Sequence, residues 1–363
     1  MLIKLLHAAD FHLDSPFSGL SPDQAALRRR EQRQLLGALV ELCNANSCDL
    51  MLLAGDLFDS DNAYPDTIEA MQRAFSACTA QIVIAPGNHD YAAAGSAYRT
   101  QRWPENVHIF TESSISYFDF PQLGCRVYGA AFTAPQAGPL LDGFRADAGG
   151  LLPLMALHGD ALNAQSPYNA ISRAQIGASG LRYLALGHIH AGSGLLREGE
   201  TYYAWPGCLM GRGFDETGEK GALLTEVDER SCTARFLPLG GRRYEILSVP
   251  AGDDPLRAIL SALPEDTKND SYRIRLTGEA AHIDCAALYR TLAGRFFSLS
   301  LRDETTPKAD LWAAADEDTL RGGFLRALRA RYDAADDEQT RRRIADAARL
   351  GIAAMDGREE PAL

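Results

Sequence analysis

The sequence is most informative at first in what it lacks. No apolar run approaches the roughly 18 residues needed to cross a bilayer, so no membrane segment is expected. The apolar start, residues 1–9, is short, contains Lys4 and His7, and runs into Asp10 without a small-residue cleavage site. It reads as a first strand rather than a signal peptide. The seven cysteines (Cys43, Cys48, Cys78, Cys125, Cys208, Cys232 and Cys285) are odd in number, widely spaced and include no C-x-x-C pair. They read as reduced, mostly buried thiols, which points to a cytoplasmic protein. Positive charge is also short: 36 Lys and Arg stand against 48 Asp and Glu, a net charge of −12 and a pI near 5.2. A general nucleic-acid coating protein needs a basic surface to displace counterions, so that class is excluded and any phosphate chemistry must be attracted locally.

With 46% hydrophobic and 23% charged residues, the 363-residue chain has ordinary globular composition, which excludes disordered, collagen-like and low-complexity classes. Its length predicts two domains. Residues 2–9, 49–54, 81–85, 154–157 and 183–186 are short apolar runs that read as buried strands. Ser21-Pro22-Asp23 marks the start of a long helix reaching about residue 46, and a second helix is expected over residues 65–80. Further strands fall between residues 107 and 127. Apolar strands separated by helices argue for a layered α/β core. From about residue 200 short strands are punctuated by Gly and Pro, and the pattern changes again at Gly240-Gly241. The expected organisation is one domain over residues 1–241, a small α+β capping domain over 242–310 and a C-terminal helical segment over 311–363.

The chemistry-bearing residues stand immediately after the buried runs. Asp10-Phe11-His12 follows the first, Gly55-Asp56-Leu57-Phe58-Asp59 the second, Gly87-Asn88-His89-Asp90 the third, His158-Gly159-Asp160 the fourth and Gly187-His188-Ile189-His190 the fifth. The carboxyl ends of strands in an open α/β sheet face one crevice, so these groups should converge there. Asp10 and His12, and likewise His188 and His190, are two residues apart and would share one side of an extended chain. Gly55, Gly87 and Gly187 would allow tight turns and close backbone approach. Oxygen and imidazole donors without thiolate favour Mn²⁺, Fe or Zn²⁺. Five of the eight histidines fall in these motifs, a concentration that packing does not explain.

Taken in order, D-x-H, G-D-x-x-D, G-N-H-D, H and G-H-x-H resemble the motifs of the calcineurin-like metallophosphoesterases over roughly residues 1–240. ADFHLDSPF, AGDLFD and WPGCLMGRGFDETGEKGALL look like the SbcD-like DNA repair exonuclease branch, in particular its YhaO-type members. The resemblance implies a layered metallophosphoesterase sandwich and a two-metal centre. Asp10, His12, Asp56 and His190 would hold one ion, Asp56, Asn88, His158 and His188 the other, with Asp56 bridging. Two divalent ions against the two carboxylates would leave the pocket at about +2 inside an acidic chain. Such ions, roughly 3.5–4 Å apart, activate a bridging hydroxide and clamp the phosphoryl oxygens of an in-line displacement. His89 would stabilise the transition state and protonate the leaving oxygen, with Asp59 holding its imidazole. The branch further implies a Mn-dependent DNA exonuclease, an SMC-like ATPase partner of the SbcC type and action as a homodimer. Hydrolysis of small nucleotides or phosphoproteins at the same centre is the alternative activity, and a metal-poor scaffold is the reading from another class, opposed by the intact motif set.

Several residues carry a plainer reading beside the functional one. Asp59 could simply cap a turn or helix. Asp14 and Asp160 could accept from histidine N–H groups or be solvated loop carboxylates. Arg212 could bind a substrate phosphate through its planar fork, or pair with Asp215 or Glu216. Cys208 sits in a loop that the family places near the metals, without a ligand role. His7, His108 and His282 match no motif and are expected to be structural. Arg28, Arg29, Arg30 and Arg33 are expected to form the exposed face of the first long helix, paired with Glu31 and its neighbours. Residues 319–350 carry eight arginines, from Arg321 to Arg349, against five acids. They read as amphipathic helices with solvated faces or as a surface for docking a partner or DNA.

Overall fold

Strands covered on both faces are written as near-continuous apolar runs, and the run after Met1 shows why. Ile3 and Leu5 face one core, Leu6 and Ala8 the other. The structure, a computed structural model, describes residues 1–60, 63–280, 283–307 and 311–356. Its first strands are β1 (Ile3–Ala8), β2 (Leu50–Leu53), β3 (Gln81–Ile84), β4 (Val107–Ile109), β5 (Ser116–Phe120) and β6 (Cys125–Gly129). They are followed by β7 (Leu152–His158), β8 (Tyr183–Gly187), β9 (Leu196–Glu198), β10 (Thr201–Ala204), β11 (Gly221–Val227) and β12 (Cys232–Pro238). Two long helices, α1 (Pro22–Ala45) and α2 (Pro65–Ser76), connect β1 to β2 and β2 to β3.

These strands build two sheets rather than the single open sheet from which convergence was expected. One has the order β12-β11-β1-β2-β3-β4 and the other β5-β6-β7-β8-β10-β9. In the first, β1 to β4 run parallel, with Leu6 opposite Met51 and Met51 opposite Ile82, while β11 and β12 return antiparallel. In the second, β6, β7, β8 and β10 run parallel and the edges β5 and β9 antiparallel. Alternation along each strand then creates three cores. Leu36, Leu39, Met71 and Phe75 of the helices cover Leu6, Met51 and Ile82. Leu5, Leu52 and Val83 meet Val127, Leu154 and Tyr183 between the sheets. Met155, Leu157 and Leu184 pack outward against Leu141, Ile176 and Leu181. This is the expected layered α/β sandwich.

Local signals set the helix starts. Ser21 Oγ accepts from Gln24 N while the Gln24 side chain accepts from Ser21 N, and Pro22 occupies the first turn of α1. α2 stops at Ser76 rather than residue 80, because the Asn44 side chain accepts from Thr79 N and Oγ1 and donates to the Ala77 carbonyl. The expected exposed arginine face of α1 needs correction at one position. Arg28 is 1% exposed, donating to Glu31 and, through Nη2, to the Gly211 carbonyl at 2.9 Å. Helical period places it on the buried face with Ala25, Gln32 and Leu36, and its paired guanidinium makes that burial tolerable.

The described chain divides into a unit of residues 1–246, 266–273 and 293–299, and another of residues 247–265, 274–292 and 300–363. In the second, helices Leu320–Asp333 and Glu338–Met355 share a small core of Ala315, Leu325 and Ala348. Arg321 pairs with Asp356, Arg349 with Asp346, and Arg326 donates to the Ala315 and Glu317 carbonyls, so part of this arginine run is used within the helices. His282 lies outside the described residues. Among the described residues no helix is long and apolar enough to cross a membrane. Phe75 is fully buried, and we expect Phe75→Ala to destabilise the protein by about 3–5 kcal/mol, measured as a lower denaturant midpoint at unchanged slope.

Candidate metal centre

Among the described residues, four of the eight non-glycine residues at positive φ are strand-end donors: Asp10 (φ 55°), His12 (φ 45°), Asp56 (φ 52°) and His188 (φ 91°). The expected reason for their shared direction, an extended chain with two-residue alternation, therefore does not hold at Asp10, His12 or His188. Left-handed turns aim the side chains instead. Each is costly for a residue with a Cβ and is held by specific bonds. Asp10 N donates to the Gly55 carbonyl and His12 N to the Asp56 carbonyl. Both Asp10 oxygens accept from His188 N at 3.0 and 3.1 Å. Asp56 Oδ1 accepts from His89 N at 2.9 Å. Gly55 adopts φ 84°, whereas Gly187 is required for approach alone, since a Cβ there would run into the Ala54 carbonyl.

The five strand ends, three from the first sheet and two from the second, bring Asp10, His12, Asp56, Asn88, His158, His188 and His190 together. Groups able to hold a metal ion are Asp10 with His12 and His190, Asp10 with Asp56 and His158, and His12 with Asp56 and His89. Asn88 Oδ1 lies 3.0 Å from His158 Nε2 and 3.2 Å from His188 Nδ1.

The chemistry of these donors tests whether cations fit. His12 Nδ1 is 3.1 Å from Asp59 Oδ1, and His190 Nδ1 is 2.7 Å from Glu216 Oε1. A carboxylate only accepts, so each Nδ1 carries a ring hydrogen and, in the neutral ring, each Nε2 a lone pair, although despite burial the Glu216 carboxylate raises His190 above its ordinary value. Those two Nε2 atoms face each other at 3.1 Å. His158 repeats the pattern: Nδ1 donates to the Ala54 carbonyl at 2.9 Å, and Nε2 faces two acceptors, Asn88 Oδ1 and Asp56 Oδ2. Lone pairs converge on lone pairs and carboxylates, an arrangement that suits cations bridging them.

The ionisation of the protein groups reports the same shortage of positive charge. Burial pushes the Asp10 carboxyl up to about 7. Burial opposes the charged imidazole at His158, yet the Asp56 carboxylate overrides it and lifts His158 to about 9. Asp56 itself, despite burial, is held well below the usual carboxylate range, chiefly by His158. Burial draws His12 and His188 down to about 4.

His89 is exposed, its Nδ1 lies 3.1 Å from the backbone carbonyl of Asp59, and its ring stands edge-on to His12. The Asp59 carboxylate, expected on His89, instead takes His12 Nδ1 and Arg212 Nη1. Arg212, weighed as a ligand for a substrate phosphate or as an ion-pair partner, spends Nη1 on Asp59 at 2.8 Å and Nη2 on Glu216 at 2.9 Å. Of its two weighed counter-ions, the geometry selects Glu216. Asp14 accepts from Thr67 Oγ1 and Tyr64 N at the start of α2. Asp160 accepts from Leu162 N and Asn163 N and lies 3.9 Å from His188 Nε2. Cys208 is fully buried, and that burial pushes its thiol up to about 12, unsuited to ligation. His7 and His108 bond within the layers, to Tyr183 and Leu186 and to Gln81.

Sequence reasoning assigned no role to Asp90 and saw Glu216 only as a counter-ion. Asp90, 2% exposed, accepts from Gly87 N at 2.7 Å, Leu57 N at 2.6 Å and Phe58 N at 3.2 Å, tying the second strand-end loop to the third. Its place three residues after Gly87 was the available signal, since short acids bond nearby turn N–H groups. Glu216 had none beyond its spacing from Arg212.

The calcineurin-like phosphoesterase family matches residues 3–192. The uncharacterized metallophosphoesterase YhaO of Bacillus subtilis is 30% identical over 281 residues, 73% of this chain and 67% of that protein. The DNA double-strand break repair protein Mre11 of Aeropyrum pernix is 26% identical over 245 residues, 61% of this chain and 57% of that protein. The SbcD component of the SbcCD nuclease of Rhodobacter capsulatus is 33% identical over 95 residues, 25% of this chain and 22% of that protein.

The imidazole shifts fix a pH dependence. His7, His12 and His188 are lowered by burial to about 3, 4 and 4 from 6.5, so their contribution is complete above pH 6.5 and lost as pH falls towards 4. Asp10 and Asp90, both raised by burial, work oppositely, but His108 is lowered as well, so two carboxyls face four imidazoles. We expect the thermal midpoint of chelator-treated protein to fall steadily on acidification from pH 6.5 to 4; calorimetry finding a flat or rising midpoint would contradict this burial.

Proposed function

The chain belongs to the calcineurin-like phosphoesterase family, and on that basis we propose that it is a two-metal phosphodiesterase that hydrolyses DNA ends, with Mn²⁺ as its metal. The observation that carries the reading is the pair of imidazole Nε2 atoms opposed at 3.1 Å, with the Asp56 and Asp10 carboxylates beside them. The family normally binds two divalent metals. Asp10, His12, Asp56 and His190 would hold one ion, and Asp56, Asn88, His158 and His188 the other. The donor set of oxygen and imidazole without thiolate supports Mn²⁺, with Fe or Zn²⁺ also accommodated. When bound, such a pair supplies Lewis-acid stabilisation of phosphoryl charge and acidifies the attacking water.

The chain's own residues supply the rest. His89 is positioned as the acid. Asp59's carbonyl accepts from its Nδ1, so it is the doubly protonated ring that would offer a hydrogen on Nε2 to the leaving oxygen. Asp56 would be the shared carboxylate, and the bond from His89 N to its Oδ1 supports an acid role for His89 near the metals. Left-handed turns at Asp10, His12 and His188 fix the donors before substrate arrives.

DNA as substrate is supported by the names of the matched Mre11 and SbcD proteins. With a net charge of −12, the chain would depend on the metals, local arginines or a partner chain to hold a polyanion. An SMC-like ATPase bound at the C-terminal helices, and a second copy of this chain, are the partners we propose. The substrate is tested with Mn²⁺-loaded protein on single- and double-stranded DNA labelled at 5′ or 3′ ends, beside bis-p-nitrophenyl phosphate, cyclic nucleotides and a phosphopeptide. Turnover of the DNA ends is expected, and activity on the small esters or phosphopeptide alone would overturn the nuclease reading. For the mechanism, His89→Ala should keep near-normal metal content while turnover falls about 10²- to 10⁴-fold. Asp56→Ala should lose both, and elemental analysis beside the assay distinguishes the cases.

A further inference from the structure

One guanidinium joins the two carboxylates that hold the facing histidines. Arg212 Nη1 donates to Asp59 Oδ1 at 2.8 Å, and that same oxygen lies 3.1 Å from His12 Nδ1. Arg212 Nη2 donates to Glu216 Oε1 at 2.9 Å, and that oxygen lies 2.7 Å from His190 Nδ1. The backbone N of Arg212 also donates to Glu216 Oε2 at 2.7 Å, closing the loop on itself. Buried Arg28 of α1 anchors the residue before it, through the Gly211 carbonyl. Glu216 is 4% exposed, so without a cation beside it the carboxylate would be an unpaired buried charge.

Among the described residues, the histidines of the other metal position have no such device. His158 Nδ1 is held by the uncharged Ala54 carbonyl, and His188 Nε2 lies 3.9 Å from its nearest carboxylate, Asp160. The two positions therefore differ in what orients their imidazoles.

We propose that Arg212 is a positioning residue that, through Asp59 and Glu216, keeps the ring hydrogens of His12 and His190 on Nδ1 and so assembles one metal position selectively. The inference rests on the two-metal reading and deepens it. Paired with the guanidinium, both carboxylates are acceptors only, which leaves each ring, in its neutral form, its hydrogen on Nδ1 and its lone pair on Nε2. Carboxylates that orient ligand histidines in this way commonly change metal affinity by about 10- to 100-fold when lost. A planar fork spans two carboxylates at once, whereas an ammonium does not, so lysine is a partial substitute at best. Arg212 reaches His190 chiefly through Glu216: its own Nη2 lies 3.4 Å from Nδ1, farther than Glu216 Oε1 at 2.7 Å.

The test uses the full chain in three forms: wild type, Arg212→Gln and Arg212→Lys. Long-range ¹H–¹⁵N spectra of the chelator-treated proteins read the histidine tautomers without any metal or substrate. Calorimetric titration with Mn²⁺ reads affinity at each position. Wild type is expected to show Nδ1–H at His12 and His190 and to bind two ions. Arg212→Gln should show Nε2–H at one or both rings, and should weaken one ion by about 10- to 100-fold while the other stays within about twofold of wild type; Arg212→Lys should fall between. Unchanged tautomers, or equal weakening at both positions, would overturn the proposal. Should Arg212→Gln not fold, Glu216→Gln, which keeps an acceptor for His190 but loses the charge that grips Arg212, is expected to give the same selective loss, and wild-type affinity in it would overturn the proposal. Wild type binding fewer than two ions would overturn the two-metal reading instead, an outcome separate from the tautomer result.

Discussion

The opposition of lone pairs at the sandwich's edge is the constraint on which the rest depends. Imidazole nitrogens aimed at each other and at carboxylates, out of water, are unfavourable unless positive charge lies among them. The fold has to hold that arrangement against its own repulsion. It does so with backbone rather than with side-chain flexibility: ladder bonds carry β1, β2, β3, β7 and β8 to a common edge, and bonds such as Asp10 N to the Gly55 carbonyl lock the first residue beyond the ladder. Protonation of His158 and Asp10 is the protein's own partial answer to the shortage of positive charge.

Local strain and close approach follow from the same demand. Strand ends normally turn away into loops, yet here several must turn inward within a residue or two. Asp10, His12, Asp56 and His188 accept left-handed backbone for that purpose. At Gly187 the chain passes so near the Ala54 carbonyl that no side chain fits. Asp90, buried behind Asp56, gathers three backbone N–H groups from two loops and converts separate turns into one rigid floor. Rigidity of this kind is what a dinuclear centre asks of its scaffold.

Charge is organised in layers around the centre. Innermost are carboxylates and imidazole lone pairs, which call for cations. Behind them Asp59 and Glu216 take the outward ring hydrogens, and Arg212 bridges that outer pair, offsetting one of its two negative charges. Arg28 then ties the Arg212 loop to α1. An acidic chain can in this way present local positive potential to a phosphate without a basic surface, because its cations are recruited rather than encoded.

The strands, the order of the donors and the family were legible in the order of residues alone. Apolar runs of four to seven residues covered on both faces are visible locally, as are the Ser21 cap and the polar residue that follows each run, because all of these depend on near neighbours in the chain. Contacts across the sandwich were needed to establish that two sheets rather than one supply the donors, that Asp10 and His12 reach the site through left-handed turns, and that Arg28 faces inward. The same contacts select which nitrogen of each histidine is free, since that follows from Asp59, Glu216 and the Ala54 carbonyl, partners distant in sequence. A residue's type names the chemistry it can do. Its distant neighbours settle which atom does it, because burial and hydrogen bonding between remote segments have no local imprint.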